Sequence, residues 1–398
     1  MLSRKAALAA VLLAAVVAGC NSSGKKAPTQ KEAAIQQWNN ARASVLLSLA
    51  NDQYKTGNFD KSRQTVIEAL RVTPDNPNLW LLSAKLNIEQ GQLEAAERDL
   101  KKTLELAPSS AEPHYLLGVI YQRWQKLDMA LNEYQIAGDK APTELAYVLA
   151  RAEVLVTLDR SREALALLNE RMTYFDNSPV IRDAAGQLMM QQGKYEDAAE
   201  TFRQATMLAT DDQGLKERHA KALFFAQRYR ESAELLSRLT RDERNATRAD
   251  LFAMLGESQL HLDRTHDARA SFETATQLNP SLVGGWQGIG KVALAGNDLR
   301  RAELAIRKAV ALDPGDAQNH LLMGYLRLKQ DRPGDAMVSF RKASALDAND
   351  PVSLCMTGYV LEKSGQTQQA IEFYARALQI RPGDELATQL MAGVGANE

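Results

Sequence analysis

The sequence contains only two cysteines, Cys20 and Cys355, which are too few for a disulfide framework. Proline is scarce, with 12 residues in 398, so helices can form with few interruptions. The formal net charge of −1 provides no excess of basic side chains, and this argues against nucleic acid as a partner. Beyond the first twenty residues, no apolar run is long enough to span a membrane. The expected class is a helical globular chain or a repeat array.

The first twenty residues have the pattern of a secretion signal. Arg4 and Lys5 precede an apolar run at residues 6–17, which ends in the string Val-Ala-Gly-Cys at residues 17–20. The string resembles the bacterial lipobox, which implies cleavage by signal peptidase II between Gly19 and Cys20 and acylation of Cys20, with palmitate as an expected chain. The alternative is an ordinary signal peptide followed by an accidental cysteine. Residues 1–19 are therefore predicted to be a lipoprotein signal peptide.

The residues after Cys20 predict a tether and a first helix. Residues 20–28 are polar and rich in turn-forming residues, as in a flexible tether. The residue after the cysteine is Asn21, and the resemblance to lipoproteins then implies the outer membrane, with the protein facing the periplasm. Thr29 and Glu32 have the spacing of a capping box, which predicts an N-terminal helix over residues 29–42.

A repeat with a period of about 34 residues fills the rest of the chain. Pro74, Pro108 and Pro142 recur at that spacing, and prolines return in the same phase at Pro280 and Pro314. With Ala43 as position 1, and with a two-residue insertion at 247–248, ten copies follow. Residues 43–246 hold repeats one to six, and residues 249–384 hold repeats seven to ten.

Three columns of this alignment are uniform. Positions 8 and 20 are small in every copy, and position 24 is bulky throughout. Small residues let two helices approach, and the bulky residue fills the space between them. Glycines recur at position 15, where they are expected to end the first helix; they are Gly57, Gly91, Gly193 and Gly365.

This layout resembles the tetratricopeptide repeat family over residues 43–384, and residues 192–199 (QGKYEDAA) and 103–108 (TLELAP) are close to its consensus. The resemblance implies an all-α fold, a right-handed superhelical solenoid of about ten helix-turn-helix repeats. Residues 385–398 are expected to form a C-terminal capping helix and tail. Residues 210–248 are rich in charges and lack the repeat's usual alanine and proline. They are predicted to stack most weakly, with a bend as the alternative to an unbroken solenoid.

The chain has no catalytic signature. None of its five histidines forms an HExxH motif, and no cysteine has zinc spacing. His261 and His266 are expected to be solvated surface residues. The glycine-rich segment 284–290 is expected to serve helix packing, with a phosphate loop as the weaker alternative. Cys355 is expected to be a buried or half-buried apolar side chain, with a redox or disulfide role as the alternative. We predict no enzyme activity, cofactor, metal or small-molecule substrate.

The resemblance also implies a concave groove lined by the first helices. No three consecutive repeats carry the residues of the chaperone-type carboxylate clamp. Phe224 and Phe225 occupy positions 12 and 13 of repeat six, and Tyr325 and Tyr359 stack one repeat apart at position 9. Such a groove suits an extended segment or an amphipathic helix of a protein partner. The candidate residues, each with packing against a neighbouring helix as its alternative, are Tyr115, Lys221, Phe224, Phe225, Glu257, Lys291, Tyr325 and Tyr359.

The expected function is a lipid-anchored scaffold that assembles an envelope machine, such as a type IV or Tad pilus or a secretion system. Lipid-anchored proteins of the resembled family commonly play that role. Two alternatives remain open: a periplasmic adaptor for exopolysaccharide export, and a regulator of a peptidoglycan or envelope-stress enzyme. The membrane would be reached through the N-terminal lipid.

Overall fold

The structure is a computed structural model that describes residues 29–395. Those residues form α-helices, one short 3-10 helix (Glu243–Asn245) and no strand. The α-helices are α1 (Gln30–Lys55), α2 (Phe59–Val72), α3 (Pro77–Glu89), α4 (Leu93–Leu106), α5 (Glu112–Arg123), α6 (Leu127–Lys140), α7 (Leu145–Thr157), α8 (Ser161–Arg171), α9 (Pro179–Gln191), α10 (Tyr195–Leu208), α11 (Gln213–Phe225), α12 (Tyr229–Arg241), α13 (Ala249–Leu260), α14 (Thr265–Leu278), α15 (Val283–Ala295), α16 (Leu299–Leu312), α17 (Ala317–Lys329), α18 (Pro333–Leu346), α19 (Pro351–Lys363), α20 (Thr367–Ile380) and α21 (Glu385–Gly395).

Helix pairs follow the predicted period through both compact units of the chain, one ending at Val154 and the other beginning at Leu155. The odd-numbered helices α1 to α19 are the first helices of the repeats, here called A helices, and α2 to α20 are the second, or B, helices. The prediction of an all-α tetratricopeptide fold with a C-terminal helix is confirmed. The right-handed superhelix stays a prediction. The lipidation site at Cys20, the signal peptide and the tether lie outside the described residues.

The turn between the A and B helices uses the same backbone conformation in every repeat. Position 15 has a φ between +56° and +77° in all ten copies. The four glycines predicted to end the A helix adopt it without steric cost. The six other repeats place a side chain there, at Gln125, Asp159, Gln227, Asp263, Asn297 and Asp331. Glycine therefore marks this turn in four repeats, but the turn does not require it.

The small and bulky columns meet in the core. An ideal Cβ placed on Gly324 would lie 2.3 Å from Phe340, and one on Gly118 would lie 2.5 Å from Tyr134. The position-24 side chains are all buried, so each fills the space that a small position-8 residue leaves. The glycine-rich segment 284–290 also leaves room for a bulky side chain, because a Cβ on Gly288 would lie 2.2 Å from Phe272. It lies in α15, which confirms its packing role.

The two ends of the array are built differently. At the N terminus, Thr29 and Glu32 form the predicted capping box, and α1 continues without a break into the first repeat. At the C terminus, α21 buries Ala387 and Val394 against the last repeat. Cys355 is fully buried beside Ala387, as expected of a small apolar side chain, and burial raises the pKa of its thiol to about 11.

The charged segment 210–248 is tied together by several polar contacts. Asn245 is buried and donates hydrogen bonds to the Leu239 carbonyl and the Gln213 side chain. Arg248, from the two-residue insertion, forms ion pairs with Glu217 and Asp250. The Arg248 ion pairs connect α11 of repeat six to α13 of repeat seven, in the region where the sequence suggested the weakest stacking.

Candidate partner-binding face

In the first unit, Tyr115 packs between two other tyrosines. Its ring stacks on Tyr147 with centroids 4.8 Å apart and lies 5.6 Å from Tyr134. The neighbouring charge at position 9, Lys85, is paired with Glu112 at 2.6 Å. Tyr115 thus joins repeats three and four, which is the packing alternative that the sequence left open.

Glu257 and Lys291 form an ion pair with each other instead of standing as single charges. Lys291 Nζ lies 2.8 Å from Glu257 Oε1, and both side chains are half-buried. The two residues occupy position 9 of repeats seven and eight, so the pair links α13 to α15. Because their charges cancel, little charge remains for a partner at this part of the A-helix surface.

Tyr325 and Tyr359 do not stack on each other, so this prediction was wrong. The Tyr325 ring packs edge-on against Phe340, with centroids 5.5 Å apart. Burial raises the pKa of the Tyr325 hydroxyl to about 12. The Tyr359 ring instead lies under the Lys363 ammonium, 5.4 Å from the centroid. Contact with the core at position 24 draws Tyr325 away from its counterpart in the next repeat.

Phe224 and Phe225 belong to a chain of five ring contacts across repeats five to seven. Phe225 stacks on Tyr195 at 5.2 Å and meets Phe224 edge-on at 5.7 Å. Phe224 continues to Tyr229 at 5.4 Å, and Tyr229 stacks flat on His261 at 4.1 Å. We call these five residues the aromatic run. Phe225 is 44% exposed and His261 is exposed, while the other three rings are half-buried.

Sequence reasoning identified only two members of the aromatic run. Tyr195 and Tyr229 open the B helices α10 and α12 of successive repeats, and their shared position was the signal that could have revealed them. His261 was expected to be a solvated surface residue, and it is exposed, but one of its faces is covered by Tyr229. The run lies at the turn between A and B helices, where Phe225 ends α11 and Tyr229 begins α12.

A shallow cavity near α9 and α11 has no member of the aromatic run in its wall; it is lined by Gln187, Met190, Gln191, Phe202, Arg218 and Lys221. Arg218 is held by Asp183 through two hydrogen bonds of 2.6 and 3.1 Å. Lys221 is exposed, and within residues 29–395 no carboxylate lies within ion-pair distance of it. Lys221, Phe224 and Phe225 are spaced i, i+3 and i+4 on α11, so they share one side of that helix. The cavity therefore has an unneutralised cation in its wall, about one helical turn along α11 from Phe224 and Phe225.

His219 on α11 is a titratable group with a shifted pKa near this face. Burial, with Arg228 nearby, lowers the pKa of His219 to about 4, so this imidazole is neutral at pH 7. Over the described part of the chain, no group of three His, Cys, Asp or Glu side chains is placed to hold a metal ion. None of the helices between residues 29 and 395 has the length and apolar character to cross a bilayer.

Comparison with known proteins identifies the family. Models of the tetratricopeptide repeat match residues 47–111, 217–284, 288–351 and 352–384, more than half of the chain. "Cellulose synthase 1 operon protein C" of Komagataeibacter xylinus is 25% identical over 332 residues, covering 70% of this chain and 24% of that protein. Human "Protein O-mannosyl-transferase TMTC1" is 24% identical over 187 residues, covering 45% and 21%. This chain thus spans about a quarter of the length of these relatives or less.

A solved structure of another protein also matches. A chain in the crystal structure of the APC/C hetero-tetramer Cut9–Hcn1 is 13% identical, and the match covers 91% of this chain and 98% of that one with a TM-score of 0.49. Tetratricopeptide folds bind protein partners in general. From the family-model matches and the ten helix pairs, the chain is a member of the tetratricopeptide repeat family.

Proposed function

We propose that this protein is a non-catalytic scaffold that binds a segment of a protein partner on α11 and the turns that follow α9 and α11. The observation that carries the proposal is the exposed end of the aromatic run at Phe225, four residues along α11 from the unpaired ammonium of Lys221. Aromatic side chains supply much of the binding energy at protein interfaces. An unpaired cation at the rim adds selectivity for an acidic segment.

The chemistry of the face defines the segment it would bind. An apolar or aromatic side chain of the partner would pack on Phe225 and Tyr195, whose rings are stacked at 5.2 Å. An acidic side chain one helical turn or less away would meet Lys221. Phe225 is the better probe of binding than Phe224, because Phe224 also supports Tyr229 and His261 and its loss would disturb the fold.

The lipobox-like string at residues 17–20 supports a position on the outer membrane, facing the periplasm, with the lipid on Cys20. Cys20→Ala is expected to release the chain from membranes or to leave its signal uncleaved. Fractionation of the cell envelope after a carbonate wash measures this. A variant that still fractionates with the outer membrane would show that lipid is not the tether.

The partner would belong to an envelope machine. Assembly of a pilus or secretion system is the role expected from the sequence. Export of an exopolysaccharide is the second candidate, and it is favoured by the matched protein named after a cellulose synthase operon. In that role the scaffold would connect the polysaccharide synthase to its exit from the periplasm.

The test is an affinity capture of crosslinked partners from intact cells, with variants chosen from the face. Phe225→Ala and Lys221→Glu are expected to reduce capture of the specific partner; a central aromatic anchor contributes about 2 kcal/mol or more, roughly 30-fold in affinity. Leu304→Ala is the matched control, since Leu304 is an equally apolar exposed side chain in the B helix α16.

Each outcome has a distinct meaning. If polysaccharide-synthase or export proteins are captured by the parent chain and lost in both variants, the second candidate is supported. If pilus or secretin components behave in this way, the first candidate is supported. Recovery of a cell-wall enzyme would instead favour the regulator. Equal capture by all variants would place the partner elsewhere on the molecule and overturn the proposal.

A further inference from the structure

One side of α1 carries a stripe of apolar side chains that are about half or more exposed to solvent. Ile35 is 50% exposed, Trp38 70%, Val45 69% and Leu49 47%. At 3.6 residues per turn these four lie within an arc of about 80° along about 21 Å of helix. Ala43 and Ala50, which pack into the first repeat, are fully buried and lie on a different side of the helix. We call the four exposed residues the N-terminal stripe.

The same positions are covered in other repeats. Val45 and Leu49 occupy positions 3 and 7 of repeat one, and their counterparts in repeat seven are Leu251 and Leu255. Both leucines are buried in a cluster with side chains of the preceding B helix, α12, including Leu236. An A helix of this array therefore receives a helix on this side, and within residues 29–395 the first repeat has none.

The opposite end of the array has a cap. The last repeat is covered by α21, whose Leu386, Leu390 and Met391 are half-buried against it. Over the described residues, α21 adds no large hydrophobic side chain to the exposed surface. A head-to-tail contact would thus set the N-terminal stripe against a surface without a matching apolar patch. The stripe is better suited to a copy of itself.

We propose that the N-terminal stripe is the interface of a homodimer, in which α1 of one protomer packs antiparallel on α1 of its partner. The spacing is nearly symmetric about Arg42: Ile35 would face Leu49, and Trp38 would face Val45. This self-complementarity is what a two-fold interface requires.

Charge and area fit this arrangement. Arg42 would lie near the two-fold axis, and its guanidinium is held by Glu68 of α2 at 2.6 Å, so the two protomers do not bring unpaired like charges together. A helix of 26 residues is about 39 Å long, and its free side offers on the order of 600 Å². Ile67 of α2 is also exposed and extends the apolar surface. The two protomers together would bury about 1,200 Å², the lower end of the range of about 1,200–2,000 Å² for specific interfaces.

The first test is cysteine crosslinking of the full chain in cells. Arg42→Cys near the axis is expected to give a covalent dimer with a short thiol crosslinker. Two controls define the background. The parent chain accounts for Cys20 and for the buried Cys355. Leu304→Cys places a thiol at another exposed site, in α16. A dimer yield from Arg42→Cys no higher than these controls would overturn the proposal.

The second test separates a homodimer from other ligands of the same surface. Light scattering of the detergent-solubilised full chain is expected to give twice the chain mass, and Val45→Asp is expected to give one chain mass with unchanged helical circular dichroism. Leu304→Asp should leave the dimer intact. A parent chain that is monomeric at tens of micromolar would refute the dimer. A Trp38 fluorescence shift on phosphatidylglycerol vesicles in such a monomer would assign the stripe to a lipid surface instead.

Discussion

Replacing Gly324 by alanine tests the packing rule that shapes every repeat. The added Cβ would lie 2.3 Å from Phe340 Cε1, far inside the usual carbon–carbon contact of about 3.5–4.0 Å. Phe340 is fully buried, so its ring has no free space to move into. Alanine favours a helix over glycine by about 1 kcal/mol, and overpacking of a core costs about 1–3 kcal/mol. We expect a net loss of up to about 2 kcal/mol of stability.

The sequence itself contains the compensating change. Wherever position 24 is valine or leucine, position 8 is alanine, as in the pairs Ala50–Val66, Ala84–Leu100, Ala152–Leu168 and Ala220–Leu236. Where position 24 is aromatic or isoleucine, position 8 is glycine. The double variant Gly324→Ala/Phe340→Leu recreates the alanine–leucine pair of three other repeats. We expect the two changes to be coupled by about 1–2 kcal/mol, so that the double variant is more stable than the sum of the single losses.

The assay must resolve one repeat in an array, because repeat proteins do not always unfold in a single step. Amide hydrogen exchange of α17 and α18, together with urea unfolding, measures the local effect. Gly334→Ala is the matched control in the same repeat, since a Cβ there meets no atom within 4 Å, and it should be neutral or stabilising. Stabilisation by Gly324→Ala equal to that of the control, or strict additivity in the double variant, would refute the reasoning.

Three further predictions concern the turn between the A and B helices, the Glu257–Lys291 ion pair and the loss of stability at acidic pH. Gln227 has a φ of +60°, so Gln227→Gly should raise stability by about 0.5–1 kcal/mol in thermal unfolding; a lower melting temperature would contradict this. The half-buried Glu257–Lys291 pair should give a coupling of about 1 kcal/mol in a double-mutant cycle, and a value of zero would mean that solvent screens it. His219 has a folded-state pKa of about 4, below the 6.5 of the unfolded chain, so stability should fall as pH drops from 6.5 towards 4. His219→Gln should make that fall less steep in urea midpoints, and an unchanged slope would exclude the imidazole as a cause.

The fold could be predicted because its determinants are local and repeated. The capping box joins Thr29 to Glu32, and each glycine at position 15 ends the helix directly before it. Both signals are therefore contained in a few neighbouring residues. The small and bulky columns act within one repeat, and ten copies made the pattern visible. The turns at Gln125 and Gln227 were predicted with the other repeats, but their positive φ was not, because neither side chain signals it; only the shared position does.

The candidate site was only partly predictable, because it depends on contacts between repeats. Glu257 and Lys291 were chosen as separate charges, although opposite charges at the same position of successive repeats were a sign of pairing. Phe225 was identified from its position at the end of an A helix. Its stacking partner Tyr195 begins a B helix of the repeat before, and a single sequence gives no direct measure of that distance.

The most direct test of the scaffold proposal is site-specific photocrosslinking in cells, with a photoreactive amino acid at position 225 and, as the control, at position 304. We expect a partner protein to be crosslinked from position 225 and not from position 304, and Lys221→Glu to reduce that product. Identical products from both positions, or a product from position 225 that is insensitive to Lys221→Glu, would contradict the assignment of this face as the partner-binding surface.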